Sequence, residues 1–232
     1  MRFDFYVHSK KDLVEAVQTF GIVPYFSCSI PGFSLEEHCS PTALWSDDGD
    51  CSWDWKGPVI AETRCAYGKF FEKKAVYVSR DWFCELANYR RDGYDFDSRW
   101  DDGLARFEDK QLYELVEKNA PVLSRELRAL GGYAYNGRWG KTEGKKGFEP
   151  SITRLQEQGY VLISDFVYQT DRLGNRHGWG VAAYDTPERF WGDDFTDRVY
   201  THTPAESYEL LLAHLSELLP ETDTKALKRF LK

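Results

Sequence analysis

The sequence shows no secretory leader, no long apolar run and no close pair of cysteines. The opening stretch MRFDFYVHSK lacks an apolar core, and no segment approaches the roughly 20 apolar residues that span a membrane. The five cysteines are odd in number and include no CxxC pair, so neither a disulfide framework nor a tight zinc site is expected. We therefore predict a cytoplasmic protein with reduced thiols, no metal, no cofactor and no membrane partner.

An excess of positive charge is also absent. The formal net charge is −8, which argues against a protein that simply coats nucleic acid. The charge is uneven, because residues 125–176 contain nine Lys and Arg against six Asp and Glu, a balance of +3 that leaves −11 for the remainder. Hydrophobic content of 42% and aromatic content of 16% exclude global disorder. We expect one positive surface on an acidic, folded body.

Apolar spacing and turn residues predict helices separated by hairpins. KKDLVEAVQTFG is a predicted helix that ends at Gly21, and SRDWFCELANYRRDG is a second one. Alternation in GKFFEKKAVYVS predicts a hairpin strand between them. The acidic stretch DGYDFDSRWDDG fits no calcium-loop spacing and is predicted to be a solvated linker. TPAESYELLLAHLSELLP and TDTKALKRFLK are predicted helices near the end of the sequence.

The strongest pattern begins at Glu108 and runs helix, helix, helix, strand, basic turn, strand. This order is typical of the winged helix-turn-helix, in which the third helix faces a DNA groove and the turn reaches the backbone. We predict a mainly α fold with small β-hairpin wings, a tandem winged helix-turn-helix. Its predicted parts are residues 1–103, residues 104–190 and a C-terminal helical segment, 191–232, packed on the others. Whether that segment begins another module stays open.

Basic side chains gather in the second predicted part, at a hairpin tip, in a Gly/Lys-rich connection and on the third helix. Lys and Arg at such places can reach phosphates without distorting a core. The alternative interpretation is a solvated turn and a solvated loop. The predicted DNA-binding residues are Arg138, Lys141, Lys145, Lys146, Arg154, Arg172, Arg176 and His177.

The stretch CSWDWKGP is the most informative for chemistry. It places Asp54 between Trp53 and Trp55, with Lys56 next to them. A carboxylate beside aromatic faces can position a water next to a base stacked on tryptophan, so Asp54 is the catalytic candidate. The alternative is that alternate tryptophans pack into a core while Asp54 caps a turn.

Three strings carry a resemblance to a known family: WKGPVIAETRCAYGKFFEKKAVYVSRDWFCELANYRRDGYDFD, LSRELRALGGY and ITRLQEQGYVLISDFVYQTDRLGNRHGWGVAAYDTPE. The sequence resembles the AlkZ-related proteins, relatives of the AlkZ and YcaQ winged-helix DNA glycosylases, over roughly residues 10–230. The resemblance implies a scaffold of tandem winged-helix modules that holds duplex DNA. In the parent family that scaffold cleaves the N-glycosidic bond of alkylated or crosslinked purines.

The sequence therefore supports two alternative functions. The first is a DNA-binding winged-helix enzyme, a monofunctional DNA glycosylase that acts on alkylated bases in double-stranded DNA. The second is a non-catalytic DNA-binding or protein-interaction module. The second is motivated by the family's catalytic pattern, Gln-apolar-Gln or Gln-apolar-Asp, which is not found here because Gln18 is followed by Thr19 and Phe20. The oligomeric state is not predicted.

Overall fold

The computed structural model describes residues 2–46, 50–137, 140–170, 172 and 176–232. About half of the chain is helical, and one six-stranded antiparallel sheet runs through the fold. One cluster of buried apolar side chains extends from Phe3 to Leu231, so both halves of the chain contribute to the same core.

The first half of the chain consists of a helix, a strand, two short helices and a hairpin. The elements are α1 (Lys10–Phe20), β1 (Ile22–Pro24), α2 (Pro41–Leu44), α3 (Lys56–Thr63), β2 (Ala66–Phe71) and β3 (Lys74–Val78). The predicted first helix is confirmed, and it ends at Gly21 with a positive φ of 71°. β3 lies between β1 and β2, because Val78 pairs with Ile22 on one side and with Ala66 on the other.

Two helices, α4 (Arg80–Arg91) and α5 (Phe96–Asp101), connect the halves. The first was predicted. The prediction of a solvated linker for the acidic stretch that follows is wrong, since this stretch forms α5. Asp95 caps the helix by accepting a 2.7 Å hydrogen bond from the backbone N–H of Ser98. Phe96 is buried and stacks on Tyr113 at 4.1 Å, so one aromatic side chain anchors an otherwise acidic segment.

The second half repeats the order of the first, with an inserted hairpin. Its elements are α6 (Phe107–Asn119), β4 (Val122–Leu123), α7 (Ser124–Leu130), β5 (Tyr135–Gly137), β6 (Gly140–Thr142), α8 (Phe148–Glu157), β7 (Leu162–Thr170) and β8 (Arg176–Asp185). β8 lies between β4 and β7, because Tyr184 pairs with Val122 on one side and with Ile163 on the other. The three predicted helices and the long hairpin are confirmed, whereas β5 and β6 were expected to be a loop.

The two halves meet through their hairpins. β2 pairs with β7 where Tyr67 lies opposite Ile163, which gives the strand order β1-β3-β2-β7-β8-β4. Read from either end, this order begins with the first strand of a half, then its third strand, then its second, so the two halves have the same topology and meet through equivalent strands. The helices follow the same rule, since α3 packs on β7 and α8 packs on β2. The backbone N–H of Lys69 in β2 donates to the Gln156 side chain of α8 at 3.0 Å.

Four helices complete the chain: α9 (Pro187–Trp191), α10 (Asp193–Thr196), α11 (Pro204–Leu218) and α12 (Thr224–Phe230). The last two were predicted. α11 packs along α4, whose last residue, Arg91, is 1% exposed. The Arg91 guanidinium donates to Glu188 at 2.7 Å, to the Tyr200 hydroxyl at 3.0 Å and to the Gly159 carbonyl at 2.7 Å. Arg91 thereby joins three separate segments.

The predicted mainly α fold with small β-hairpin wings is confirmed only in part. The helices and hairpins are present, but the hairpins are merged into one large sheet instead of standing apart. No helix within the described residues is both long and apolar enough to cross a membrane. Among the same residues, no group of three or more His, Cys, Asp and Glu side chains is arranged to hold a metal ion.

Candidate active site beside the β7–β8 hairpin

Asp54 lies in the turn that leads into α3, and its carboxylate is held from two sides. The Tyr168 hydroxyl of β7 donates to Oδ1 at 3.1 Å, and the Cys51 thiol donates to Oδ2 at 3.1 Å. The turn itself is closed by hydrogen bonds from the backbone N–H groups of Asp54 and Trp55 to the Cys51 carbonyl, at 2.8 and 3.0 Å. Two side-chain donors therefore hold the Asp54 carboxylate in place.

The register of β7 explains how Tyr168 reaches this turn. Alternate side chains of a strand point to the same face, so Phe166 and Tyr168 both face α3. Gly180 on β8 leaves room for the tyrosine ring, because a Cβ at that position would come within 2.9 Å of Tyr168 Cζ. Close approach of α3 requires another glycine, since a Cβ on Gly57 would lie 2.8 Å from Asp165 Oδ1.

Lys56 is the first residue of α3 and is buried, with 3% of its surface exposed. Its ammonium nitrogen lies 3.1 Å from the centre of the Trp53 ring and 4.4 Å from the centre of the Phe166 ring. Burial lowers the pKa of the Lys56 amine to about 7, although the nearby Asp54 carboxylate acts in the opposite direction. A substantial fraction of this amine is therefore neutral at physiological pH.

Three tryptophans form the outer wall of the site. The ring centres of Trp45, Trp53 and Trp179 lie 5.7 to 6.0 Å from one another. Trp45 is 50% exposed and Trp179 is 68% exposed, which is unusual for side chains of this size. We call these three residues the tryptophan cluster. An exposed, contiguous aromatic surface next to a fixed carboxylate is suited to binding a flat or cationic ligand.

The two alternatives for CSWDWKGP each account for part of the geometry. Trp55 packs into the core, 7% exposed, and its indole N–H donates to Asp50 at 2.6 Å. Trp53 instead joins the tryptophan cluster. Among the described residues, the Asp54 carboxylate accepts hydrogen bonds from the side chains of Tyr168 and Cys51. It accepts none from a backbone amide of α3, so it does not cap that helix.

Two of the predicted basic residues, Arg154 on α8 and Lys145 in the connection, contact other side chains. Arg154 forms a bidentate ion pair with Asp109, at 2.9 and 2.5 Å, and Asp109 is only 3% exposed. α8 itself packs against α6 and β2. Lys145 is exposed and lies 4.3 Å from the Tyr133 ring, with Nζ 3.3 Å from the Gln111 side chain.

The remaining predicted basic residues lie in or near the two hairpins β5–β6 and β7–β8. Lys146 and Arg172 are exposed. Arg138 lies outside the described residues, as do the side chains of Lys141, Arg176 and His177. The backbone of β8 nevertheless places residues 176 and 177 opposite Thr170 and Gln169, on the strand that carries Trp179. The hairpin tip therefore adjoins the tryptophan cluster along one strand.

Sequence reasoning identified Asp54 and its flanking tryptophans but missed the residues that come to them from far along the chain. Tyr168, Phe166 and Trp179 were seen only as hairpin residues. Alternation along β7 gave the signal that Phe166 and Tyr168 share a face. No local signal places that face against residue 54, because the contact depends on how α3 packs on the other half of the fold.

Residues 7–232, nearly the whole chain, match the family model described as AlkZ related. No curated protein and no solved structure matches the chain. The matched range includes every residue of the Asp54 site and the tryptophan cluster.

Proposed function

The chain belongs to the AlkZ-related family, and from this premise we propose that it acts on double-stranded DNA and releases alkylated purines by hydrolysis of the N-glycosidic bond. Membership in the family suggests a DNA-repair, glycosylase-like role. The observation that carries the proposal is the Asp54 carboxylate, fixed by Tyr168 and Cys51 beside the exposed tryptophan cluster.

The fold supports a tandem winged-helix assignment. Each half runs helix, strand, helix, helix, strand, strand, and in each the last strand lies between the other two. This is the order expected of a winged helix-turn-helix, with the hairpin as the wing. We propose the modules to be residues 1–103 and 104–190, with 191–232 packed on them. Because β2 and β7 are antiparallel neighbours, the two wings point to opposite ends of the sheet.

The two wings differ in the side chains that they present. The β7–β8 wing combines the predicted phosphate ligands Arg172, Arg176 and His177 with the exposed Trp179. The basic tip would hold the DNA backbone, and the tryptophan would take a base that has left the stack. The β2–β3 wing also carries basic residues, Lys73 and Lys74 beside Glu72, but Lys74 donates to the Ser27 carbonyl and the wing contains no tryptophan.

The tryptophan cluster fits a cationic base. A purine alkylated at N3 or N7 carries a positive charge, and the face of a tryptophan ring attracts cations by roughly 0.5–2 kcal/mol, depending on desolvation. The same charge makes the base a good leaving group. When the C1′–N bond breaks, its electron pair neutralises the purine, so the leaving group needs no general acid.

Asp54 would supply the remaining step. Its carboxylate would stabilise the oxocarbenium charge that develops on the sugar and would orient the water that attacks C1′. The proton of that water would pass to the carboxylate. Tyr168 and Cys51 would hold the carboxylate in place during this step.

A base-release assay tests the proposal. Duplex DNA with a single N7-methylguanine would be incubated with the protein, and free base would be measured beside a duplex with the neutral lesion O6-methylguanine. We expect release from the cationic lesion only. Trp179→Ala should slow that release, whereas the control Trp100→Ala, which alters a tryptophan outside the cluster, should not. Equal release of both lesions would contradict recognition through the tryptophan cluster.

A second candidate function is a DNA-binding protein without catalysis. It is favoured by the absence of the family's Gln pattern around Gln18. It predicts salt-dependent duplex binding with no base release. A protein that binds neither duplex would instead fit a protein-interaction module presenting the exposed tryptophans.

A further inference from the structure

Lys56 has no role in the hydrolysis proposed above, yet it lies within the same site. The side chain is buried, and its nitrogen is enclosed by the Trp53 and Phe166 rings. No carboxylate within the described residues forms an ion pair with it. Holding an amine in an apolar enclosure is costly, and an apolar residue of similar volume would fill the same space at a lower free-energy cost. A chemical use for the amine would explain this placement.

The position of Lys56 points to the sugar of a bound nucleotide. The Trp53 ring lies against the Lys56 nitrogen. The same ring also contacts Trp45 and Trp179 in the tryptophan cluster. Asp54, two residues before Lys56, is the group proposed to act at C1′. Lys56 thus shares the Trp53 ring with the proposed base-binding surface and lies close enough to Asp54 for that carboxylate to raise the pKa of its amine.

The protonation state of Lys56 suits a nucleophile. A lysine attacks a carbonyl only in its neutral form, and desolvation in an apolar pocket is a recognised way to make that form available at neutral pH. The pKa of Lys56 is lowered to about 7 by burial. Protonated and neutral amine therefore coexist under physiological conditions.

We infer that Lys56 forms an imine with the C1′ aldehyde of an abasic deoxyribose, the product of base release, and that this imine leads to cleavage of the DNA strand on its 3′ side. The inference rests on the proposed function, because the proposed hydrolysis supplies the abasic sugar. It adds a second activity to the site, a lyase activity, and it assigns Lys56 as the residue that bonds to the substrate.

The steps balance without any added oxidant or reductant. The Nζ lone pair attacks C1′ of the ring-opened sugar, and one amine proton passes to the C1′ oxygen to give a carbinolamine. The carbinolamine hydroxyl takes up a proton from the solvent and leaves as water, which gives a C1′=N iminium. Asp54 accepts one C2′ proton. The electrons of that C–H bond form a C2′=C3′ double bond while the C3′–O bond breaks and the phosphate leaves with its electron pair. Water then hydrolyses the imine, which returns the amine and releases an unsaturated aldehyde.

Borohydride trapping tests this inference directly. The full-length protein would be incubated with a duplex containing one abasic site and reduced with sodium borohydride, which converts an iminium to a stable amine linkage. We expect a covalent protein–DNA adduct that maps to Lys56 by peptide mass spectrometry, together with a nicked strand. Lys56→Met and Lys56→Arg should reduce the adduct to the level seen without borohydride. Lys225→Met, which alters an exposed lysine on α12, should trap as wild type.

The outcomes separate this inference from the proposed function. Base release without trapping would overturn the lyase inference alone. Trapping at Lys56 without base release would support the inference and overturn the proposed hydrolysis. An adduct that persists in Lys56→Met, or that maps to another amine, would also overturn the inference. Lys56→Arg keeps the positive charge but lacks the nucleophilic amine. If both Lys56→Met and Lys56→Arg fold and both lose the trapped adduct, the loss is due to the missing amine and not to the missing charge.

Discussion

The Tyr168 hydroxyl donates a 3.1 Å hydrogen bond to the Asp54 carboxylate, and this contact joins two residues that are 114 positions apart. It ties the turn before α3 in the first half to the wing of the second half. Removal of the hydroxyl should release one side of the carboxylate. A hydrogen bond to a charged group contributes about 1.5–3 kcal/mol, so Tyr168→Phe should slow base release by roughly tenfold or more. Tyr6→Phe, at an exposed tyrosine, should leave the rate unchanged.

The buried amine makes a prediction about stability. The folded-state pKa of Lys56 is about 7 and that of an unfolded lysine about 10.4, so the unfolded chain binds more protons between these values. The free energy of unfolding of wild type should therefore rise with pH across this window, relative to a variant without the amine. Lys56→Met should be the more stable protein at pH 7, and its advantage should shrink as the pH is raised to 9.

Denaturant unfolding of both proteins at pH 7, 8 and 9 measures this difference. The other titrating groups are common to both proteins and cancel in the comparison. Below pH 7 the amine is protonated in both states, so the difference should level off. A stability difference that stays constant from pH 7 to pH 9 would show that Lys56 is not held as described.

Arg91 is predicted to be the most sensitive single position for stability outside the apolar core. Its guanidinium binds Glu188, Tyr200 and the Gly159 carbonyl, and it also lies 4.6 Å from the Tyr160 ring. Removal of one partner from a buried ionic network leaves the others unpaired and costs on the order of 3 kcal/mol. Arg91→Met should lower the free energy of unfolding by about that amount.

An exposed arginine supplies the comparison. Arg229→Met on α12 should change stability by less than about 0.5 kcal/mol, as surface substitutions usually do. Equal effects of the two substitutions would contradict a joining role for Arg91.

DNA binding should depend on the wing tip and on salt. Each phosphate contact contributes about 0.9 to the slope of log affinity against log salt concentration. Arg172→Ala should weaken duplex binding and reduce that slope by about this amount, whereas Arg229→Ala should leave the slope as it is. Fluorescence anisotropy with an unmodified duplex over a range of salt concentrations measures both quantities. A slope unchanged by Arg172→Ala would remove this residue from the interface.

Much of the local structure could be predicted from the sequence. Period-3.6 apolar spacing and end signals such as Gly21 identified α1, α4, α6, α7, α8, α11 and α12, and alternation identified the long hairpin. The merging of the hairpins into one sheet could not be predicted. It depends on a single pairing, Tyr67 with Ile163, between strands 96 positions apart, and nothing local in either strand specifies its partner.

The charge prediction shows a second limit. Counting charges over residues 125–176 gave an excess of three positive charges, but Arg154 in that range pairs with Asp109, which lies outside it. Arg128 pairs with Glu149 inside the range. A count along the chain cannot see partners brought in by packing. The candidate site was found only in part for the same reason, since Asp54 belongs to a local motif while Tyr168 and Trp179 arrive through the tertiary fold.

Asp54 is the residue proposed to carry the chemistry of base release, and its contribution can be measured by single-turnover kinetics on a duplex containing N7-methylguanine. Asp54→Asn keeps the size of the side chain but removes its charge, so the rate should fall by at least about 100-fold, the scale of losing one positioned catalytic group. Asp197→Asn alters an exposed aspartate that is not part of the site, and this variant should release base at the wild-type rate. A folded Asp54→Asn protein that releases N7-methylguanine as fast as wild type would contradict the account.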